Sequence, residues 1–222
     1  MEVIWLIAFR GNRDIQFWAF YEDSPDTDAE RGAVIEQMMN TQVALLKEVT
    51  GDPSPPMRTT LYAEKSVLFA DGHLRPPSDP ALIWNFVAAR RDHFPAPDLQ
   101  AMEVPDERPL GYYINFQFTS SGSHLAQGEG PWKMERNFRY VDGKNPRPLE
   151  FSVVNAGNVR EFVMTMSANA AMMWDFQDYD TDNFLAEFCA EYFGAEHASN
   201  VAELYRDFFN SYWQQKEPDL EG

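Results

Sequence analysis

Five apolar runs that each end in polar residues are the feature of this sequence that most restricts its fold. The first run, residues 3–9, leads directly into Arg10, Gly11 and Asn12. Similar runs follow at residues 59–64, 81–87, 111–118 and 151–158. Continuous apolar runs that alternate with helical or loop segments are typical of parallel strands covered on both faces. The sequence therefore predicts an α/β fold with a partial (β/α)8 TIM-barrel-like parallel sheet of about five strand units, where a closed barrel has eight.

One long helix is predicted between the first two strands, over residues 29–50. Gly51 is suited to end it, because glycine readily takes the left-handed conformation that follows a helix. The apolar stripe of this helix is predicted to consist of Val34, Met38, Val43, Leu45, Leu46 and Val49.

The character of the sequence changes near Asp178. Residues 161–174 are rich in Met and Ala and predict a helix, and two more helices are predicted over 180–193 and 195–215. Asp180 can cap the first of these two helices, and Gly194 can end it. We therefore predict two domains, a partial barrel over residues 1–177 and a C-terminal helical hairpin over residues 178–222.

The charge and hydropathy of the chain exclude several classes of function. The chain has 222 residues, and its 35 acidic and 18 basic side chains give a formal net charge of −17. Proteins that bind nucleic acid normally carry a basic patch, and this sequence has none. No apolar run approaches the roughly 18 residues that cross a membrane, and the start lacks the basic segment of a signal peptide. We therefore expect no nucleic acid and no membrane partner, and a cytoplasmic protein, or a secreted one if the native N-terminus lies upstream.

Metal and cofactor signatures are missing from the sequence. His93 and His124 follow predicted strands, but neither has a second histidine or a carboxylate at metal-ligand spacing. The glycine-rich motifs that bind nucleotides are absent, and the serine-rich run before His124 lacks the spacing of a nucleophile elbow. We therefore predict no metal and no cofactor, while either histidine could orient a substrate or transfer a proton.

Glu64 is the strongest catalytic candidate. It follows Leu61, Tyr62 and Ala63 at the end of the second predicted strand. A partly desolvated carboxylate at such a strand end can act as an acid or a base. The alternative is an ordinary ion pair, for example with an arginine of the first loop.

Three charged residues share the end of the first strand: Arg10, Arg13 and Asp14. Arginine binds carboxylates through two parallel hydrogen bonds, so a sugar acid or another anionic substrate would fit here. A structural salt bridge at the same edge of the sheet is equally compatible with the sequence.

Aromatic and amide side chains near other strand ends are suited to carbohydrate. Tyr113 can stack on the apolar face of a pyranose, although core packing is the alternative for such aromatic residues. Asn115, Asn155 and Asn158 lie at strand ends, where their amides can bond sugar hydroxyls.

Several short segments, in the same order along the chain, resemble glycoside hydrolase family 115, the xylan α-1,2-glucuronidases. They are Ile-Ala-Phe-Arg-Gly-Asn-Arg-Asp at 7–14, Leu-Tyr-Ala-Glu at 61–64, Leu-Arg-Pro-Pro at 74–77 before 82–84, Gly-Tyr-Tyr at 111–113, residues 153–160, and the helix at 184–193 with residues 194–198. The departures are specific. Asn85-Phe86-Val87 stands where the family usually has an acidic pair and an asparagine, Ile114 replaces a histidine, and Asn158 replaces an aspartate. The family barrel also begins about three strands earlier.

The resemblance implies a fragment or truncated relative of an enzyme that removes α-1,2-linked (4-O-methyl)glucuronic acid side chains from xylan by inversion. Such a reaction needs two carboxyl groups with room for a water between them. Glu64 would be one and Asp92 the other, and Arg10 and Arg13 would hold the uronate. Sugar hydroxyls would then be contacted by Asn115, His124 and Asn155.

A second interpretation is a non-catalytic carbohydrate-binding or assembly module derived from that barrel. An open half-barrel exposes strand edges and apolar surface, which favours a homo-oligomer or pairing with a missing N-terminal barrel half. An unrelated α/β hydrolase of small acidic substrates is a third interpretation, and the absent nucleophile motif argues against it. In the first two interpretations the predicted partner is a carbohydrate, glucuronoxylan or an oligosaccharide derived from it.

Overall fold

The sheet of this protein has its five strands in chain order, β1-β2-β3-β4-β5. The computed structural model describes residues 3–12, 15–87, 108–116, 130–145, 147, 149–156 and 159–212. The strands are β1 (Trp5–Leu6), β2 (Met57–Leu61), β3 (Leu82–Val87), β4 (Leu110–Asn115) and β5 (Phe151–Asn155). The helices are α1 (Asp28–Thr50), α2 (Glu64–Ala70), α3 (Pro131–Asp142), α4 (Val163–Trp174), α5 (Thr181–Phe193) and α6 (Ala198–Tyr212).

The strands run parallel. β2 pairs in parallel with β1 and with β3, and the second register sets Thr60 opposite Asn85. Two backbone hydrogen bonds show that β4 and β5 run in the same direction. Near the beginning of both strands, Glu150 N–H donates to Leu110 O, and near the end of both strands, Phe116 N–H donates to Asn155 O. The predicted class is therefore confirmed, an α/β fold with a partial barrel-like parallel sheet of five strands followed by a helical region.

The described residues fall into two compact units. The first covers Met1–Val87, Pro95–Tyr112 and Val141–Phe151, and the second covers Ala88–Phe94, Tyr113–Tyr140 and Ser152–Gly222, each over its described residues. The domain boundary near Asp178 stays a prediction. None of the described helices combines the length and the apolar character that would take it across a bilayer.

The buried face of helix α1 shares only Val43 with the predicted stripe. A capping box of Thr27 and Glu30 starts the helix, and Gly51, at φ 67°, ends it as expected. The buried residues are Gly32, Ile35, Met39 and Val43, whereas Met38, Leu45 and Val49 are exposed. The packing face is decided by Gly32, because a Cβ there would lie 1.8 Å from the carbonyl oxygen of His73. Only a residue without a side chain permits that contact.

Helix α2 was not expected from the sequence. The second strand was predicted to continue to Glu64, but β2 ends at Leu61 and Glu64 is the first residue of α2. Leu68 and Phe69 of α2 are buried, and the ring of Phe69 lies 5.8 Å from that of Trp84 on β3. This short helix therefore covers one face of the sheet directly beside the candidate carboxylate.

The first strand is shorter than the predicted 3–9. Only Trp5–Leu6 forms a regular ladder with β2, and Ile7 N–H continues it by donating to Arg58 O at 2.8 Å. At Ala8 the side-chain amide of Gln42 takes the place of the neighbouring strand as the hydrogen-bond partner of the backbone. Ala8 N–H donates to Gln42 Oε1 at 3.0 Å, and Gln42 Nε2 donates to Ala8 O at 2.8 Å.

The second unit is built on helices α4 to α6. Asp180 caps α5 by accepting from Asn183 N–H at 2.8 Å, and Gly194 ends it, which confirms the predicted bounds of this helix. α4 begins at Val163, after a 3-10 turn over Val159–Phe162. A hydrophobic core in this unit is formed by Met164 of α4, by Leu185, Phe188 and Cys189 of α5, and by Phe209 of α6. Leu204 and Phe208 of α6 are exposed although they are large and apolar.

Candidate functional site

An ion pair between Arg10 and Glu64 is the central feature of the candidate site. Arg10 Nε donates to Glu64 Oε1 at 2.7 Å, and Arg10 Nη2 donates to Oε2 at 2.8 Å. The two side chains are 17% and 7% exposed. This is the bidentate geometry in which a guanidinium fixes the plane of a carboxylate. The sequence left an ion pair with an arginine of the first loop open for Glu64, and that pair is present.

Arg10 is placed by the segment that prolongs β1. Ile7 is bonded to β2 and Ala8 is bonded to Gln42 of α1, so the backbone is held on two sides just before Arg10. The following turn is closed by Gly11 N–H, which donates to Ile15 O at 2.8 Å. A Cβ at Gly11 would lie 2.6 Å from the same oxygen and 2.8 Å from Phe17 Cα. The turn that follows Arg10 therefore requires a glycine.

Glu64 is placed by a strained turn. Ala63 has φ 51° and ψ −118°, a conformation that residues with a side chain rarely adopt, and it is the only non-glycine residue with positive φ in the described part of the chain. Lys65 N–H donates to Tyr62 O at 3.1 Å, and Ser66 Oγ donates to Leu61 O at 2.9 Å. Such strain costs about 1–3 kcal/mol and is concentrated at functional sites. Here the conformation of Ala63 places Glu64, the next residue, beside Arg10.

Tyr62 completes this group. The guanidinium carbon of Arg10 lies 5.3 Å from the centre of the Tyr62 ring, within cation–π range. Arg10 therefore meets an aromatic ring and a carboxylate that are supplied by one turn, residues 62–64. We call Arg10, Tyr62 and Glu64 the Arg10–Glu64 cluster.

A second polar group lies at the ends of β4 and β5, in the second unit. Asn155 Nδ2 donates to Asn115 Oδ1 at 2.8 Å. Asn115 is 3% exposed, whereas Asn155 is exposed. Tyr113 is half-buried on the same face of β4, two residues before Asn115. The structure therefore brings together two of the amides that the sequence assigned to sugar hydroxyls.

Asn85 is a buried polar residue that the sequence did not single out as a site residue. It is fully buried in β3, and neither atom of its side-chain amide has a hydrogen-bond partner among the described residues. Its Oδ1 lies so close to Gly111 that a Cβ there would be 1.8 Å away. A buried amide without a partner is uncommon and calls for a specific explanation. The sequence signal was a lone asparagine inside an apolar run.

Asn85 shares its face of the sheet with other polar side chains of the first unit. Strand alternation and the register place Arg58 and Thr60 of β2 on the face that carries Asn85. The guanidinium carbon of Arg58 lies 5.7 Å from the ring centre of Phe151, the first residue of β5. This face is therefore partly polar, although the apolar runs predicted strands with two apolar faces.

The family model for glycosyl hydrolase family 115 matches residues 1–219. The chain belongs to this family. The resemblance seen in the short segments is thereby confirmed over nearly the whole sequence. A search of curated proteins found no match.

A solved structure gives the same fold as this family-115 chain. It is a family GH115 4-O-methyl-α-glucuronidase, BtGH115A, described as having specificity for decorated arabinogalactans. The likeness has a TM-score of 0.71 at 15% sequence identity and covers 94% of this chain. At that identity the likeness concerns the fold alone. The chain matches only 27% of the length of that relative.

Several site residues proposed for this family-115 chain lie outside the described residues. These are Arg13, Asp14, Asp92, His124 and Asn158. Their roles stay predictions, including that of Asp92 as the second carboxylate. Among the residues that are described, no group of three or more His, Cys, Asp or Glu side chains is arranged to hold a metal ion.

Proposed function

We infer that this chain contributes a catalytic carboxylate and uronate recognition to a family-115 α-glucuronidase. The reaction would remove α-1,2-linked (4-O-methyl)glucuronic acid side chains from xylan or a related polysaccharide, with inversion. The observation that carries the proposal is the Arg10–Glu64 cluster, a bidentate ion pair held by a strained turn after β2. Active sites of barrel enzymes lie at this end of the strands.

Glu64 is proposed to act as the general base. A carboxylate that accepts two hydrogen bonds from a guanidinium is held in one orientation, and each of its oxygens keeps a second lone pair that can accept a proton from water. The general acid would be Asp92. An inverting enzyme holds its two carboxyl groups about 6.5–9.5 Å apart so that the attacking water fits between them.

Arg10 is proposed to have two roles, and Arg13 shares one of them. Arg10 orients Glu64, because its bonds of 2.7 and 2.8 Å occupy both oxygens of that carboxylate. Together the two arginines supply positive charge at the edge of the sheet where a uronate would bind. Asn115, Asn155, Asn158, Tyr113 and His124 are the proposed contacts of the sugar ring, and Asp14 would lie at the same edge as the arginines.

A non-catalytic carbohydrate-binding module is the second candidate. The observation in its favour is the ion pair itself, because a carboxylate paired to arginine in this way is also a common structural element. In that case Arg10 and Glu64 hold the first two strand ends together and perform no chemistry.

The experiment is to measure the release of (4-O-methyl)glucuronic acid from glucuronoxylan oligosaccharides by the wild-type chain, Glu64→Gln and Glu48→Gln. Glu48 is an exposed glutamate on α1 and serves as the matched control. The proposal predicts activity in the wild type and the control, and a loss of about 10²–10⁴-fold in Glu64→Gln. Because Glu64→Gln leaves the Arg10 guanidinium without its carboxylate, its melting temperature is also expected to fall, and activities are compared at a temperature at which all three proteins are folded. NMR of the first-formed sugar anomer reports inversion or retention. Saccharide binding without turnover by the wild type would favour the non-catalytic module.

A further inference from the structure

A groove in the second unit lies between helices α4 and α5 and the residues that connect them. Its volume is about 840 Å³, and its lining extends from Ala170 of α4 to Glu187 of α5. It shares no residue with the Arg10–Glu64 cluster or with the paired asparagines at the ends of β4 and β5. Nothing in the proposed reaction uses it.

The most exposed aromatic side chain of this groove is Trp174, the last residue of α4. It is 92% exposed, although tryptophan is among the more buried residues on average. Ala170 and Ala171 on α4 and Ala186 on α5 line the groove beside it. These neighbouring side chains are small, and the exposed indole offers a flat surface to solvent. A flat apolar platform of this kind suits the face of a pyranose ring.

Polar groups of the groove stand beside the platform. Asp178, Asn183 and Glu187 line it and are exposed. Asp180 is used inside the protein, because it accepts from Asn183 N–H at 2.8 Å as the cap of α5. The groove therefore combines an exposed indole with carboxylate acceptors and an amide that can both donate and accept.

The segment that connects α4 and α5 is held by contacts with helix α3. Arg139 of α3 donates to Tyr179 O at 2.7 Å, and Thr181 Oγ1 donates to Glu135 Oε2 at 2.6 Å. The ring of Phe176 lies 6.0 Å from that of Phe138. A connecting segment that is held by such contacts loses little conformational freedom on binding, which favours affinity.

We propose that the Trp174 groove is a second saccharide-binding site, and that its ligand is a neutral oligosaccharide. The pyranose face stacks on the Trp174 indole, and sugar hydroxyls donate to Asp178 and Glu187 and bond the Asn183 amide. The carboxylates disfavour an acidic sugar by like-charge repulsion. The site would therefore hold the neutral part of a polysaccharide and reject its uronic acids. This proposal does not depend on the proposed hydrolase activity.

The test follows the indole N–H resonances of the chain by ¹⁵N NMR during titration with xylotetraose and with galactotetraose. The resonance absent from Trp174→Phe assigns Trp174, and exposed Trp5 is the control. The expected result is a shift of the Trp174 signal with at least one of these sugars, no shift of Trp5, and affinity weakened about tenfold or more in Trp174→Ala. Glucuronic acid shifts the signal only when Asp178→Asn and Glu187→Gln are combined.

Three results would overturn the proposal. Neither neutral oligosaccharide shifts the Trp174 resonance, or Trp174→Ala binds as tightly as the wild type, or only the polyamine spermine produces the shift. The last result would make the groove a cation site, because its carboxylates also attract amines. All three readouts measure binding to this groove and are unaffected by loss of activity at Glu64.

Discussion

Arg10 and Glu64 lie 54 positions apart in the chain and are joined by two hydrogen bonds of 2.7 and 2.8 Å. Their meeting follows from the topology, because β1 and β2 are parallel neighbours and the segments after them therefore emerge side by side. Two local features then fix the contact, a glycine turn after Arg10 and a strained alanine before Glu64. Each of these features leads to a prediction.

Replacement of Gly11 by alanine is expected to destabilise the protein by about 2–4 kcal/mol, because the new Cβ would clash with backbone atoms that cannot move independently. Gly51→Ala is the control. Gly51, unlike Gly11, has a positive φ, but no atom lies within 4 Å of its added Cβ. Its cost should be about 1 kcal/mol from backbone strain alone. Urea unfolding of both variants measures the difference, and equal losses would contradict the tight turn at Gly11.

Replacement of Ala63 by glycine is expected to stabilise the protein by about 1 kcal/mol, because glycine takes positive φ without strain. The gain is reduced by the greater freedom of glycine in the unfolded chain. Ala33→Gly, at an exposed position of α1, is the control and should destabilise by about 1 kcal/mol. The unfolding midpoints of the two variants should move in opposite directions. A midpoint that falls in Ala63→Gly would contradict a strained turn.

The contact between Asn85 and Gly111 predicts energetic coupling. Gly111→Ala should cost about 3 kcal/mol or more, because its Cβ would lie 1.8 Å from Asn85 Oδ1. Asn85→Ala in the same chain should recover part of this loss. Recovery is incomplete because the new Cβ also lies 2.9 Å from Phe151 O. A double-mutant cycle measures the coupling, and additive losses would show that the side chains do not meet.

Asp182 predicts a pH-dependent contribution to stability. A hydrogen bond from the Trp132 indole lowers the pKa of this carboxyl, and one from Arg206 lowers it further against the opposing effect of partial burial. Because the folded-state pKa is lowered, the contribution is present above the unfolded value of about 4 and is lost as the pH falls through the folded value. Asp182→Asn should therefore cost about 0.5 kcal/mol near neutral pH and nothing in strong acid.

The matched control for Asp182→Asn is Asp207→Asn, at an exposed position of α6. The free energy of unfolding of both variants and of the wild type is measured across the acid range. A difference between Asp182→Asn and the wild type that persists undiminished below the folded-state pKa would show that packing, and not charge, explains the effect.

The sequence predicted the parts of the fold that depend on local pattern. The third strand was placed at 81–87 and is Leu82–Val87, and helix α5 has the predicted cap and end at Asp180 and Gly194. Apolar runs and capping residues act over a few positions and can be read directly. Helix α2 was missed because it has only 7 residues and begins with charged Glu64 and Lys65 just after a strand.

Features that depend on contacts between residues far apart in the chain could not be predicted from the sequence. The buried face of α1 is decided by the approach of the His73 carbonyl to Gly32, which no helical periodicity contains. The pairing of Asn115 with Asn155 was not predicted, although both were assigned to strand ends. For Glu64 the sequence offered a catalytic role and an ion pair as alternatives. The structure contains the ion pair, and the proposed function gives the paired Glu64 a catalytic role as well.

The most direct test of the proposed function is a charge exchange, Arg10→Glu combined with Glu64→Arg, compared with each single variant for stability and for release of glucuronic acid. The proposal predicts that each single variant loses stability, because it leaves two like charges in contact. The exchange should restore much of the melting temperature, because the pair is re-formed, but no activity, because the carboxylate stands on the wrong strand end. Activity that returns together with stability would contradict a catalytic role for Glu64 and leave the pair as a structural element.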